Sequence, residues 1–121
     1  MKTILSIQSQ VAGARVGNSV AAFAMERLGV RVMQLPTVLL GRRPDHGAPG
    51  GGPIAAEMLA SMIDALAADA LLGEIDAVLT GYVGAAEQAA VILDAVRGSK
   101  RRTRRRSSCA IQCSAMMGAP M

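Results

Sequence analysis

The chain has no tryptophan, one tyrosine and one phenylalanine in 121 residues. Any core must therefore be built from Ala, Val, Leu, Ile and Met, and it will be light. Histidine is almost absent too, His46 being the only one. The two cysteines, Cys109 and Cys113, stand in a C-x-x-x-C spacing with no histidine beside them, a poor zinc or redox pattern that reads as two ordinary thiols. Long apolar runs are missing as well. Gln8-Ser9-Gln10 cuts short the apolar opening after Met1-Lys2, so it is too brief for the h-region of a signal peptide. Glu57, Asp64 and Asp69 interrupt the most apolar stretch, which excludes a membrane-spanning helix there. These absences point to one cytoplasmic domain with no membrane partner.

What is present divides unevenly. Residues 1–97 carry seven Lys/Arg against nine Asp/Glu, whereas residues 98–121 carry six Lys/Arg and no acid. The net charge of +4 is thus the sum of a body at −2 and a tail at +6. The tail also lacks any hydrophobic period, so it is expected to have no packed structure. The domain boundary is placed after Arg97.

The body reads as three strand-helix units. Residues 3–7 are β-rich, and a Gly-containing loop leads to Asn18-Ser19, either of which can cap a helix. Val20, Phe23, Ala24 and Leu28 share one face of that helix, and Gly29 suits its end. Residues 30–35 form a second strand. Residues 36–53 hold four prolines and five glycines, a long exposed loop of the kind that carries function or disorder. Pro53 suits the first turn of a helix over residues 54–70, whose buried stripe is Leu59, Met62, Ile63 and Leu66. Residues 76–80 form the third strand and residues 81–84 its turn. Ala89, Ile92, Leu93 and Val96 mark the inner face of a helix over residues 85–97. Such alternation implies a three-stranded parallel sheet with right-handed crossovers.

Parallel α/β sheets bind ligands outside the carboxyl ends of their strands. That edge collects Gln8-Ser9-Gln10, the loop from Thr37 to Gly52 and Gly81-Tyr82-Val83-Gly84. Read alone, Ser9 is as easily a turn hydroxyl, Tyr82 a half-buried filler and His46 a solvated loop histidine. No Gly-Lys-Ser/Thr follows the glycines at 47–52, which excludes a P-loop, and no G-x-G-x-x-G follows the first strand. Composition and spacing thus reach a small-molecule site on an α/β sheet, and no further.

Linked motifs carry the reading on. Ser6-Ile7-Gln8-Ser9, Val16-Gly17-Asn18-Ser19, Arg27-Leu28-Gly29-Val30, Pro36-Thr37-Val38-Leu39 and Thr80-Gly81-Tyr82-Val83-Gly84 with Glu87-Gln88 stand in the order and spacing of bacterial pyridoxal kinases. The body resembles the N-terminal part of such an enzyme. The resemblance implies a ribokinase-like α/β fold and transfer of phosphate from ATP, with Mg2+, to the 5′-hydroxymethyl of pyridoxal and related B6 vitamers. It also implies that Ser9 hydrogen-bonds the pyridine ring, that Tyr82 packs against it, and that Asp45, His46 and Gly47 border the substrate. A homodimer is implied by the same likeness. Two departures stand out: the family's Tyr-Gly-His after the first strand is Gly13-Ala14-Arg15 here, and its loop Thr falls on Pro44.

The resemblance also accounts for the tail. Beyond Arg97 the family continues with a Lys-Ala-Ala-Asn-Pro turn, an apolar strand and a Cys-Asp-Pro-Val motif. If residues 97–121 use G/C-rich codons, a consistent choice of them read two bases later gives those elements in that order. The tail is therefore expected to be a frameshifted translation. The nucleotide site, the metal-proximal Asp and the catalytic base lie in the part of the family beyond it, so no catalytic or metal-binding residue is expected in this chain, which should be inactive alone. The alternative is a non-enzymatic α/β module with an evolved arginine-rich nucleic-acid-binding arm.

Whatever its origin, the run from Lys100 to Arg106 should bind polyanions without sequence preference. In a titration with random-sequence oligonucleotide, log K should fall against log salt by roughly 0.7–0.9 for each phosphate neutralised. A salt-resistant, sequence-selective complex would instead establish the evolved arm.

Overall fold

A computed structural model describes residues 1–102 and 108–111, with side-chain surroundings for residues 1–97. The elements in chain order are β1 (Thr3–Val11), α1 (Asn18–Arg27), β2 (Arg31–Leu40), β3 (Gly52–Pro53), α2 (Ala56–Ala68), β4 (Ala77–Thr80), α3 (Ala86–Arg102) and β5 (Ser108–Ile111). They form one sheet in the order β3-β2-β1-β4-β5. β1 pairs in parallel with both β2 and β4, the arrangement that strand-helix alternation dictates. The sheet is wider than the three strands expected. β3 adds a short antiparallel edge beside Val38 and Leu39, and β5 lies parallel to β4. Within the basic segment, α3 runs on to Arg102 and residues 108–111 supply β5; residues 103–107 and 112–121, where most of the expected unpacked tail falls, lie outside the described residues.

Because side chains alternate along a strand, β1 serves two different layers. Leu5 and Ile7 are fully buried in the main core, with Leu35, Val78, Leu59 and Ile63 of α2, and Ile92, Ala95 and Val96 of α3. Ser6 and Gln8 alternate with them and meet α1 through hydrogen bonds. The Ser6 hydroxyl donates to Asn18 Oδ1 at 2.7 Å, and Asn18 Nδ2 donates to the carbonyls of Gln8 and Leu35 at 3.3 and 3.1 Å. α1 is thus anchored on a polar contact, with Asn18 and Ala22 as its buried residues.

That anchor corrects the sequence reading of α1. Val20, Phe23 and Leu28, the expected inner face, are exposed, Phe23 by 54% and Leu28 by 82%, and Ala24 is exposed with them. Arg27 lies over the Phe23 ring, its Cζ 5.8 Å from the centroid. α3 is rotated as well: Gln88, Ile92, Ala95 and Val96 are buried, while Ala89 and Leu93 face outward. The α2 stripe holds, with Leu59 and Ile63 buried and Met62 and Leu66 packed against the core.

β2 also runs further than expected, through Pro36 to Leu40. Pro36 has no N–H to give, and the ladder is irregular just beyond it. Gln8 pairs with Pro36 and Gln10 with Leu39, so Ser9 faces two residues, Thr37 and Val38. The loop is correspondingly shorter and more ordered than its composition suggests. Gly41 N–H donates to the Pro49 carbonyl at 2.9 Å, and Pro44–His46 form a single 3-10 turn.

Burial and exposure on these helices make opposite predictions. Ile92→Ala should cost about 2–5 kcal/mol by leaving a cavity in the core. Phe23→Ala should change stability by no more than about 0.5 kcal/mol, and urea denaturation of the two variants reads the difference.

Candidate functional site

The carboxyl ends of β1, β2 and β4 open onto a cavity of about 390 Å³. Gln8, Ser9, Val38, Asp45 and Tyr82 line it, together with Arg15 and Arg43. Three of the five expected site residues therefore meet: Ser9 from the irregular stretch of β1, Tyr82 from the loop after β4, and Asp45 from the 3-10 turn. His46 and Gly47 do not line the cavity; they complete that turn and are exposed. Gly47 instead closes against Arg42, whose guanidinium a Cβ at this position would strike.

Ser9 is fixed from the side by a residue that the motif reading left without a role. Gly17 has φ 61 and ψ −133, a conformation open only to glycine. A Cβ there would run into the Ser9 carbonyl oxygen and Oγ. Gly17 also bridges to Gln10, so the loop folds back across β1 directly beside Ser9. The sequence signal was the Gly-Asn pair itself, in which glycine supplies the turn and Asn18 the anchor.

Tyr82 is placed by two fully buried polar residues, Thr37 and Gln88. The Thr37 hydroxyl donates to the Tyr82 carbonyl at 2.6 Å. Gln88 Oε1 accepts from the Gly84 N–H at 2.9 Å, while its Nε2 donates to the carbonyls of Thr37 and Ile54 at 2.8 and 2.6 Å. One amide thus binds the loop after β4, the end of β2 and the entry to α2. Gly84 sits close enough to Val38 that a Cβ would clash, so the loop lies flat on β2. Gln8 completes the floor: its Nε2 donates to Ser6 Oγ at 2.8 Å, and its side chain lies against Gly81.

The cavity wall is chiefly aliphatic, with Val11, Val16, Val38 and Leu40. Polar groups are few and convergent, the usual composition of a small-molecule pocket. Among the described residues no cluster of three or more His, Cys, Asp or Glu could hold a metal ion. No described helix is long and apolar enough to cross a membrane.

No protein-family model matches the chain. It is 42% identical over 99 residues to the pyridoxal kinase PdxY of Paraburkholderia xenovorans (strain LB400), covering 82% of this chain and 34% of that protein. Its identity to the PdxY of Pseudomonas aeruginosa (strain UCBPP-PA14) is 36% over 117 residues, 97% of this chain and 40% of that protein. That alignment passes Arg97 into the basic segment. Among solved structures, the pyridoxal kinase from Leishmania donovani in complex with ADP and pyridoxamine matches with a TM-score of 0.83 and 26% identity, over 93% of this chain and 39% of that one. The fold is accordingly that of a ribokinase-like fragment. The chain is thus similar to the N-terminal part of pyridoxal kinases and spans 34–40% of the length of these relatives.

The fit of Gly17 against Ser9 can be tested beside Gly29, which has φ 83 but nothing near a would-be Cβ. Gly29→Ala should carry backbone strain alone, on the order of 1 kcal/mol. Gly17→Ala should lose at least about 1 kcal/mol more, because overlap with Ser9 adds to strain. Denaturation midpoints compare the two, and equal losses would mean that Gly17 does not shape the Ser9 turn.

Proposed function

We propose that residues 1–97 form the vitamin-holding part of a pyridoxal kinase, an enzyme that phosphorylates the 5′-hydroxymethyl of pyridoxal and related B6 vitamers with ATP. The convergence of Ser9 and Tyr82 on one aliphatic cavity at the carboxyl edge of the sheet carries this reading. Ser9 would hydrogen-bond the pyridine ring, and Tyr82 would cover its face. Asp45 would border the ring directly. His46 and Gly47 would act one step away, by closing the turn that presents Asp45.

Phosphoryl transfer depends on positioning and electrostatic stabilisation, with the acceptor hydroxyl held in line with the phosphate. The contribution of this chain is the first of these. Gln88 and Gly17 fix the two loops that fix the ring, and the aliphatic wall excludes water around it. ATP and Mg2+ belong to the proposed reaction, but the described residues do not fit them. They offer neither a set of carboxylates for a cation nor a Gly-Lys-Ser/Thr cradle for phosphates, so no step is assigned to either group here. A cytoplasmic location and a homodimer complete the proposal.

Residues 98–121 are read as an out-of-frame translation of a longer kinase. The charge break at Arg97, and the fact that codons compatible with residues 97–121 can spell the kinase elements when read two bases later, support this. Resequencing the coding region across Arg97 tests it, because a continuous in-frame kinase should follow once the frame is restored.

Two results are expected of the 121-residue chain. It should bind pyridoxine without phosphorylating it, and turnover that survives removal of host kinase would refute the assignment of roles. Tyr82→Ala should weaken pyridoxine binding by about 1 kcal/mol through lost ring contact, as read by calorimetric titration.

A further inference from the structure

The outer edge of β4 is closed by the chain itself. Ala77–Thr80 contain no charge, glycine or proline, and an edge of that kind readily accepts a further strand. β1 pairs in parallel with one side of β4. On the other side Ser108–Ile111 run parallel to it, with Ala77 opposite Ser108 and Thr80 opposite Ile111. All four residues are thereby covered, and β4 becomes an inner strand. The opposite margin of the sheet needs no such cover. It ends in β3, which is only Gly52 and Pro53, and proline brings no N–H to a ladder.

The covering strand closes one edge without opening an equally receptive one. It is uncharged too, but six Lys/Arg stand among residues 100–107 immediately before it. A second copy that laid its own β5 alongside would bring two such runs together, and like charges at a sheet margin discourage pairing. We propose that the outer edge of β4 is a strand-binding surface whose occupant is this chain's own Ser108–Ile111, and that this segment keeps a second copy of the chain from docking there. The inference is independent of what the cavity at the carboxyl edge holds. It gives residues 108–111 a role that the origin of their reading frame does not alter.

Amide hydrogen exchange on the full 121-residue chain in reducing buffer is the first test. Successive N–H groups of a strand point to opposite neighbours, so half of those in β4 face away from β1 and exchange slowly only if β5 pairs with them. Slow exchange throughout residues 77–80 is expected; a pattern in which every second amide exchanges at the rate of open peptide overturns the proposal. Cys109→Pro combined with Ala110→Pro then removes the N–H at two adjacent positions of β5 and leaves the basic run intact. The outward β4 amides should exchange at least about tenfold faster in this variant, with those of Leu59 and Ile63 unchanged. Sedimentation velocity should show concentration-dependent association that the parent chain lacks. Ser114→Pro combined with Ala115→Pro, beyond β5, should behave as the parent. Unchanged exchange in β4, an opened β4 in a chain that stays monomeric, or an equal response to the second pair of prolines overturns the proposal. Should the Leu59 and Ile63 amides open as well, the exchange pattern of the unaltered chain decides.

Discussion

Every backbone carbonyl and N–H withdrawn from water must find a partner, and where a parallel ladder is irregular or meets a loop the ladder alone does not supply every one. Here the stretch of β1 and β2 around the irregularity at Ser9 meets this constraint with two fully buried side-chain amides. Asn18 takes up the carbonyls of Gln8 and Leu35, and Gln88 takes up those of Thr37 and Ile54. Each amide belongs to a helix, so satisfying these carbonyls also docks α1 and α3. The cavity is the space left between the loops that these amides hold, and its shape follows from them more than from the aliphatic core beneath.

The same constraint explains which parts of the fold could be read from sequence. Elements were legible because strand and helix periods alternate cleanly, and α2 kept its expected stripe because Leu59 and Ile63 pack within the aliphatic core cluster. The inner faces of α1 and α3 were not legible, since periodicity assumes that the apolar face is the buried one. In α1 the polar anchor at Asn18 turns Val20 and Phe23 outward. In α3 burial of Gln88 rotates the helix so that Leu93 is displaced. Hydrogen-bond demand outranked apolar area in both, and no moment of hydrophobicity registers that.

The site followed a similar division. Ser9 and Tyr82 were singled out through linked motifs, and Asp45 through the loop that contains it, and all three line the cavity. Gly17, Thr37 and Gln88 lay inside the same motifs, yet their roles depend on contacts between residues far apart in the chain, such as Gln88 with Thr37.

β1 is first in the chain but lies at the centre of the sheet, between β2 and β4. On the ribosome, Leu5 and Ile7 leave the exit long before the residues of β4 that finish their burial. At about 5–20 residues per second, that interval lasts several seconds. Throughout it, an aliphatic strand has one edge unpaired, the condition under which chains associate with one another or are captured by chaperones. The order of synthesis thus makes the central strand the most vulnerable segment of the nascent protein, although it is among the best protected once the fold is complete.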